Sequence, residues 1–150
     1  MVHVIAPATT ANLGAGFDSI GVALQLYNHL WVEEIPSGLN ITVKNASHLV
    51  PTDKKNMIFR TISWFYNKMD IKLPGLNIIQ EDHIPITRGL GSSATCTISA
   101  LLAANELSGA GLSRDELLQM AALMEGHPDN SNPALLGEMV VGVIDKEQMV

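Results

Sequence analysis

The chain has 150 residues, of which 47% are hydrophobic and 16% are charged, and its formal net charge is -6. This length fits one domain with its own core, and so low a charge content excludes disorder driven by charge repulsion. The nine basic residues are scattered, with Lys54 and Lys55 as the only adjacent pair, so nucleic-acid binding is disfavoured. The single cysteine, Cys96, cannot form an internal disulfide, which removes any argument for an oxidising compartment.

The sequence also argues against a membrane protein. Residues 1–7 lack the basic start of a secretory signal. The longest uncharged stretches, residues 2–17 and 89–105, are interrupted by Thr, Ser, Asn and Gly well short of the ~20 apolar residues that a bilayer span needs. We therefore expect a soluble, cytoplasmic protein with neither a membrane nor a nucleic acid as a partner.

Six segments predict β-strands. They are rich in Val, Ile, Leu and Trp, or they alternate between apolar and polar residues as half-buried strands do. In chain order they are residues 2–6, 22–26, 30–35, 39–44, 76–80 and 139–144. A polar loop at residues 45–56 separates the fourth strand from the first helix. No internal repeat, low-complexity segment or interior linker divides the chain, so we expect a single α+β unit.

Four segments predict helices, at residues 57–69, 91–109, 113–125 and 128–137. Asn56 is the expected cap of the first, and Ser113 with Glu116 forms the capping-box pattern of the third. The second contains a single charge and no internal Gly or Pro, which predicts burial over most of its circumference. Pro128 suits the first position of the fourth.

Residues 88–94, Arg-Gly-Leu-Gly-Ser-Ser-Ala, lead into the long second helix. Gly89 and Gly91 allow a close backbone approach, and the serines lie beside the free amides of the first helical turn. Such an end attracts anions, which predicts a phosphate-binding loop. A tight turn in which Ser92 simply caps the helix is the alternative. The Walker A lysine and the dinucleotide fingerprint are both absent.

A second loop, residues 7–18, combines small residues with Asn12 and a single acid, Asp18. Small residues let a ligand approach, Asn12 both donates and accepts hydrogen bonds, and Asp18 offers a carboxylate for an ammonium or a hydroxyl. The alternative is a turn between strands in which Asp18 caps a local amide.

A third segment, residues 125–130, contains Glu125, His127, Asp129 and Asn130. Carboxylates are ligands that Mg²⁺ accepts. Alternatively, Asp129 lies in the first turn of the next helix and His127 is a solvated loop side chain. The five histidines have no zinc-ligand spacing with Cys96 or with each other. Cys96 itself is expected to pack in the core, or to have a lowered pKa near a helix N-terminus.

Together, residues 7–24, 85–95 and 125–137 resemble three segments of the GHMP kinases, and among these above all the homoserine kinases. Three motifs in the family's order across nearly the whole chain make the resemblance specific. It implies an α+β fold, the GHMP kinase N-terminal domain, which is a ribosomal-protein-like two-layer α/β sandwich with a left-handed β-α-β unit. It also implies that residues 1–150 are the N-terminal ATP-binding domain, truncated relative to the family, with the C-terminal domain absent.

The resemblance implies transfer of the γ-phosphoryl group of ATP to the hydroxyl of L-homoserine, on the route to threonine, with Mg²⁺ as cofactor. Ser93 and Glu125 would contact Mg²⁺. No catalytic base is assigned, because Asn130 stands in the substrate-facing stretch. The implied homoserine pocket consists of Asn12, Asp18, His127, Asp129 and Asn130. The implied ATP phosphate loop consists of Pro85, Ile86, Thr87, Arg88, Gly89, Leu90, Gly91, Ser92, Ser93, Ala94 and Thr95.

Three departures from the family pattern stand out. Thr10 replaces the usual Ser, Ser131 and Asn132 replace the common Val-Ala, and Glu138 replaces a second Gly. Two other functions stay open: another GHMP-type kinase with a mevalonate-like or sugar substrate, and a nucleotide-binding fragment without catalysis. A homodimer and the activity of this half alone also stay open.

Overall fold

The computed structural model describes residues 1–16, 18–46, 49–142, 144–145 and 148–149. Its strands are β1 (Val2–Ala11), β2 (Ile20–Ile35), β3 (Leu39–Lys44), β4 (Gly75–Glu81), β5 (Met139–Val141), β6 (Ile144–Asp145) and β7 (Gln148–Met149). Its helices are α1 (Met57–Lys68), α2 (Ser92–Ser108), α3 (Arg114–Glu125) and α4 (Ser131–Leu136).

One mixed sheet organises these elements. Its strands follow the order β1-β2-β4-β3, and β5 pairs with the start of β2, while β6 and β7 pair separately. All pairs in the main sheet are antiparallel except β3 with β4, which are parallel and are joined through α1. The predicted α+β class is therefore confirmed.

The core lies between this sheet and the helices. Alternate residues of β1 and β2 point into it, such as Val4, Leu30 and Val32. Ile62 and Phe65 of α1 meet them from the helical layer. The prediction that α2 is surrounded by protein is confirmed, since nine of its residues are buried. A helix buried on almost every side is rigid, and the loop before its first turn is consequently attached to a fixed support.

Two predicted helix starts are confirmed in atomic detail. The Asn56 side chain accepts from the Phe59 amide at 3.2 Å, and Ser113 and Glu116 form the complete capping box. The predicted start of the last helix is wrong. α4 begins at Ser131 with Asn130 as its cap residue, and Pro128 lies outside it.

The strands differ from prediction mainly in length. Residues 22–26 and 30–35 belong to one long strand, because the intervening residues 27–29 pair with residues 5–7 of β1. β1 continues past Pro7, although its pairing with β2 is irregular between Pro7 and Thr9. The predicted last strand is shorter, ending at Val141, and Val143 lies outside the described residues.

Among the described residues, none of the helices is both long and apolar enough to cross a bilayer.

Candidate active site

The loop before α2 has the geometry of an anion site. Gly91 is the cap residue of α2 in the left-handed region, at φ 63°, and no side chain caps the helix. The alternative in which Ser92 caps the helix is therefore wrong. The first turn also contains no acidic residue. Free amides and the positive end of the helix dipole thus face outward at this end, where a phosphate group is favoured.

A cleft of about 540 Å³ opens beside this loop. Most of residues 85–93 line one side of it, and Asn56 and Met57 at the start of α1 line another. Gln80 and Asp82 form part of its wall. This volume falls in the range that small-molecule sites occupy.

A buried polar network holds the base of the loop. Asp82 accepts from Asn28 Nδ2 at 3.1 Å and from Gln80 Nε2 at 2.8 Å. Asn28 Oδ1 in turn accepts the backbone amides of His83 and Ile84, at 2.7 and 3.0 Å. The chain is therefore tied to β2 just before the loop begins. Sequence reasoning missed this network, and its only signal was polar residues at positions where a strand would be buried.

Ser93 and Glu125, the expected Mg²⁺ contacts, lie together. The Ser93 hydroxyl is 3.1 Å from both carboxylate oxygens of Glu125. Thr97, one turn further along α2, donates to Glu125 Oε1 at 2.6 Å. Glu125 therefore connects the end of α3 to the start of α2. A hydroxyl and a single carboxylate beside a phosphate loop suit Mg²⁺, which usually binds one or two carboxylates together with substrate phosphates. No group of three or more His, Cys, Asp or Glu able to hold a metal ion occurs within the described part of the chain.

Cys96 lies one turn into α2, where it lines part of the cleft, and is not an activated thiol. Burial raises its pKa to about 12, and the charges of Asp82 and Glu125 act in the same direction. The alternative of a pKa lowered by the helix N-terminus is therefore wrong, because desolvation and two nearby carboxylates outweigh the dipole.

Three of the five expected homoserine-pocket residues are joined by short contacts. Asn12 Nδ2 donates to Asp129 Oδ2 at 3.4 Å, and the backbone amide of Asn130 donates to Asp129 Oδ1 at 3.0 Å. Asp18 is linked through its backbone amide, which donates to Asn12 Oδ1 at 2.9 Å. Its own carboxylate is exposed, as a ligand-binding group would be. The Asp129 side chain, by contrast, is only 3% exposed.

His127 is the outlying member of this set. It follows Gly126, which ends α3, and its side chain is exposed. It forms no hydrogen bond to another residue in the described ranges. Asp129 does not lie in the first turn of the next helix, as the alternative expected, because α4 begins two residues later.

The loop and the pocket residues meet at Gly91. Thr9 in β1 donates its backbone amide to Leu90 O at 3.1 Å and its hydroxyl to Asn130 Oδ1 at 2.9 Å. A Cβ at Gly91 would collide with Thr9 Oγ1 and lie 3.0 Å from Asn130 Oδ1. The uncapped end of α2 and the polar cluster are therefore in direct contact, in an arrangement that glycine alone permits.

Residues 56–138 match the family model of the GHMP kinases N terminal domain. The chain belongs to the GHMP kinase family. It is 46% identical over 149 residues to a homoserine kinase of Caldicellulosiruptor saccharolyticus, an alignment that covers 99% of this chain and 48% of that protein.

Solved structures agree with this GHMP kinase assignment. A homoserine kinase from Cytophaga hutchinsonii superposes with a TM-score of 0.86 at 30% identity, covering 99% of this chain and 50% of that one. The mevalonate kinase of Methanococcus jannaschii has a TM-score of 0.74 at 19% identity, covering 99% and 55%, and shows the shared fold alone. The chain spans about half the length of the curated relatives it matches.

Proposed function

We propose that the protein carrying this chain is a homoserine kinase. It transfers the γ-phosphoryl group of ATP to the side-chain hydroxyl of L-homoserine and forms O-phospho-L-homoserine for threonine biosynthesis. The observation that carries the proposal is the contact at Gly91 between an uncapped helix N-terminus and the Asp129–Asn130 cluster. Phosphoryl transfer depends mainly on holding the phosphate next to the acceptor hydroxyl, and this contact brings the two binding regions together.

ATP binding is assigned to residues 85–95 and the cleft beside them. The amides at the start of α2 would hold the phosphates, and the loop that precedes them is attached through Asn28 to β2. Because this end is supported by a buried helix, its dipoles are oriented before the substrate arrives. Such preorganisation stabilises the charge that develops on the transferred group.

Mg²⁺ binding is assigned to Ser93 and Glu125. Their side-chain oxygens are already 3.1 Å apart, and Thr97 holds one carboxylate oxygen at 2.6 Å. When bound, the ion would neutralise phosphate charge during the transfer. Thr97 keeps the Glu125 carboxylate oriented toward Ser93, which fixes both oxygens before the ion binds.

Homoserine binding is assigned to Asn12, Asp18, His127, Asp129 and Asn130. Asp18 and Asp129 would supply carboxylates for the substrate ammonium or hydroxyl. The Asn12 side chain and the Asn130 backbone amide both donate to the Asp129 carboxylate and orient it. We assign no catalytic base. Asn130 cannot take a proton at neutral pH, so its role is to position the acceptor hydroxyl.

The test measures ADP formation by the full-length protein with L-homoserine, mevalonate and galactose as alternative acceptors. We expect turnover with L-homoserine and loss of it in Ser93→Ala and Glu125→Ala, with the fold intact by circular dichroism. Ser108→Ala, at the other end of α2, is the matched control and retains activity. Preference for another alcohol would replace the substrate assignment, and full activity of both site variants would overturn the site.

Calorimetry distinguishes a kinase from the alternative function, which is nucleotide binding without catalysis. Binding of Mg·ATP to the full-length protein without phosphorylated product from any of these alcohols would favour that reading. The assignment of residues 1–150 to one N-terminal ATP-binding domain, the cytoplasmic location and a homodimer stay predictions.

A further inference from the structure

Thr9 occupies an unusual place in β1. Residues Val4, Ala6 and Ala8 alternate with more exposed neighbours, as expected for a strand with one buried face. Thr9 breaks this alternation, since it is 0% exposed directly after Ala8 at 0%. The break coincides with the irregular pairing between β1 and β2. Irregularities of this kind often redirect a side chain beside an active site.

The Thr9 hydroxyl determines the orientation of the Asn130 side-chain amide. Asn130 is the cap residue of α4, yet its side chain makes no capping hydrogen bond. Its Oδ1 instead accepts from Thr9 Oγ1 at 2.9 Å. An amide side chain has its acceptor on one side and its two donors on the other, so fixing Oδ1 against Thr9 turns Nδ2 away from β1. The Asn130 side chain is half-buried.

We infer that Thr9 is a positioning residue that holds the Asn130 amide with its NH₂ group toward the acceptor alcohol, an inference that rests on the proposed function. The same threonine attaches β1 to the phosphate loop through its backbone amide and Leu90 O, and that bond does not depend on the side chain. Removal of the Thr9 hydroxyl alone should therefore impair the use of the acceptor alcohol and leave ATP binding unchanged. Thr9 acts through Asn130 and does not touch the substrate.

The kinetic test uses the full-length protein and three variants. Thr9→Val keeps the shape and removes the hydroxyl, Thr9→Ser keeps the hydroxyl, and Thr61→Val makes the same change at a buried position of α1. We expect Thr9→Val to lower kcat/KM for L-homoserine about tenfold, as for loss of one buried hydrogen bond, with an unchanged KM for ATP. Thr9→Ser and Thr61→Val retain wild-type values. Wild-type kinetics in Thr9→Val, or an equal loss in Thr9→Ser, would overturn the inference.

A double-mutant cycle separates positioning from packing. In the Asn130→Ala background, Thr9→Val should change kcat/KM by less than about twofold, because the group it positions is gone. An undiminished tenfold loss in that background would show that Thr9 acts by another route.

A second readout does not depend on activity. The side-chain NH₂ resonances of Asn130, assigned by their absence in Asn130→Ala, should shift or broaden in Thr9→Val and stay sharp in Thr9→Ser. Should the wild-type protein fail to phosphorylate L-homoserine, the proposed function falls, and these resonances still decide whether Thr9 orients the amide. Identical resonances in Thr9→Val and wild type would refute the inference.

Discussion

The contact at Gly91 can be tested against a matched control, because Gly109 is the cap residue at the other end of α2. Gly91 and Gly109 cap the same helix with nearly equal backbone angles, φ 63° and φ 65°. Alanine at either position is strained by about 1–2 kcal/mol in this left-handed region. They differ in surroundings: a Cβ at Gly109 meets nothing within 4 Å, whereas one at Gly91 collides with the Thr9 hydroxyl.

This difference in surroundings determines how much each alanine variant should lose in stability and in turnover. Gly109→Ala should lower the free energy of unfolding by about 1–2 kcal/mol and leave turnover unchanged. Gly91→Ala also has to displace Thr9 and break its buried hydrogen bond to Asn130, a further cost of about 1–3 kcal/mol. The loop and the pocket then separate, so turnover should fall at least about a hundredfold.

Urea unfolding and steady-state turnover of both variants, measured in the full-length protein, provide the assay. Equal stability losses at the two glycines would show that the Gly91 backbone relaxes without disturbing Thr9. Retention of turnover by Gly91→Ala would refute the reasoning that this contact joins the two halves of the site.

Further predictions concern three other positions. Because burial raises the pKa of Cys96 to about 12, its thiol should react with iodoacetamide at pH 8 at least about tenfold more slowly than a free thiol of pKa 9.0, and reaction at the free-thiol rate would contradict the raised pKa. Thr97→Val should destabilise the protein by about 1–3 kcal/mol in urea unfolding, because Glu125 loses a short hydrogen bond, and an unchanged midpoint would contradict this. Hydrogen bonds from the backbone and side chain of Ser113 lower the pKa of Glu116. The capping box therefore stabilises the fold fully above the ordinary pKa of glutamate, and this stabilisation is lost as the pH falls through the lowered pKa of the folded state. Glu116→Ala should consequently be less stable than wild type at pH 7, with the difference shrinking in acid, and a constant difference between pH 7 and pH 2 would count against this linkage.

The sequence predicted the structure best where residues close together in the chain determine it. The cap at Asn56 and the capping box at Ser113 each depend on residues three positions apart, and both were predicted. The start of α4 was not, because the helical preference of Pro128 was overridden by the packing of this segment against β2. At Gly21 a Cβ would collide with the Asp129 carbonyl, which shows how closely the two elements approach.

In the candidate site, too, local features were predictable from the sequence and long-range contacts were not. From local chemistry, the glycines and serines before a long helix predict a phosphate-binding loop, which stays a prediction. The contact between Thr9 and Asn130 joins residues 121 positions apart, and the network at Asn28 reaches across 54 to 56 positions. Pairings at such separations depend on how the strands and helices pack, so no local pattern in one sequence contains them.

A net charge of -6 opposes binding of the polyanion that the proposed function requires, but the arrangement of the proposed site reduces this opposition. The first turn of α2 has no acidic residue, and its amides are not satisfied by a side-chain cap. Close to this end, the Glu125 carboxylate accepts hydrogen bonds from the hydroxyls of Ser93 and Thr97. Under the proposed function, attraction at this end would come from these fixed dipoles and from Lys55, which also lines the cleft, whereas the net surface charge is screened over about 8–10 Å at physiological salt. If the proposed function is right, we therefore expect the local dipoles to outweigh the net charge, so that an acidic protein binds ATP without an extended basic patch.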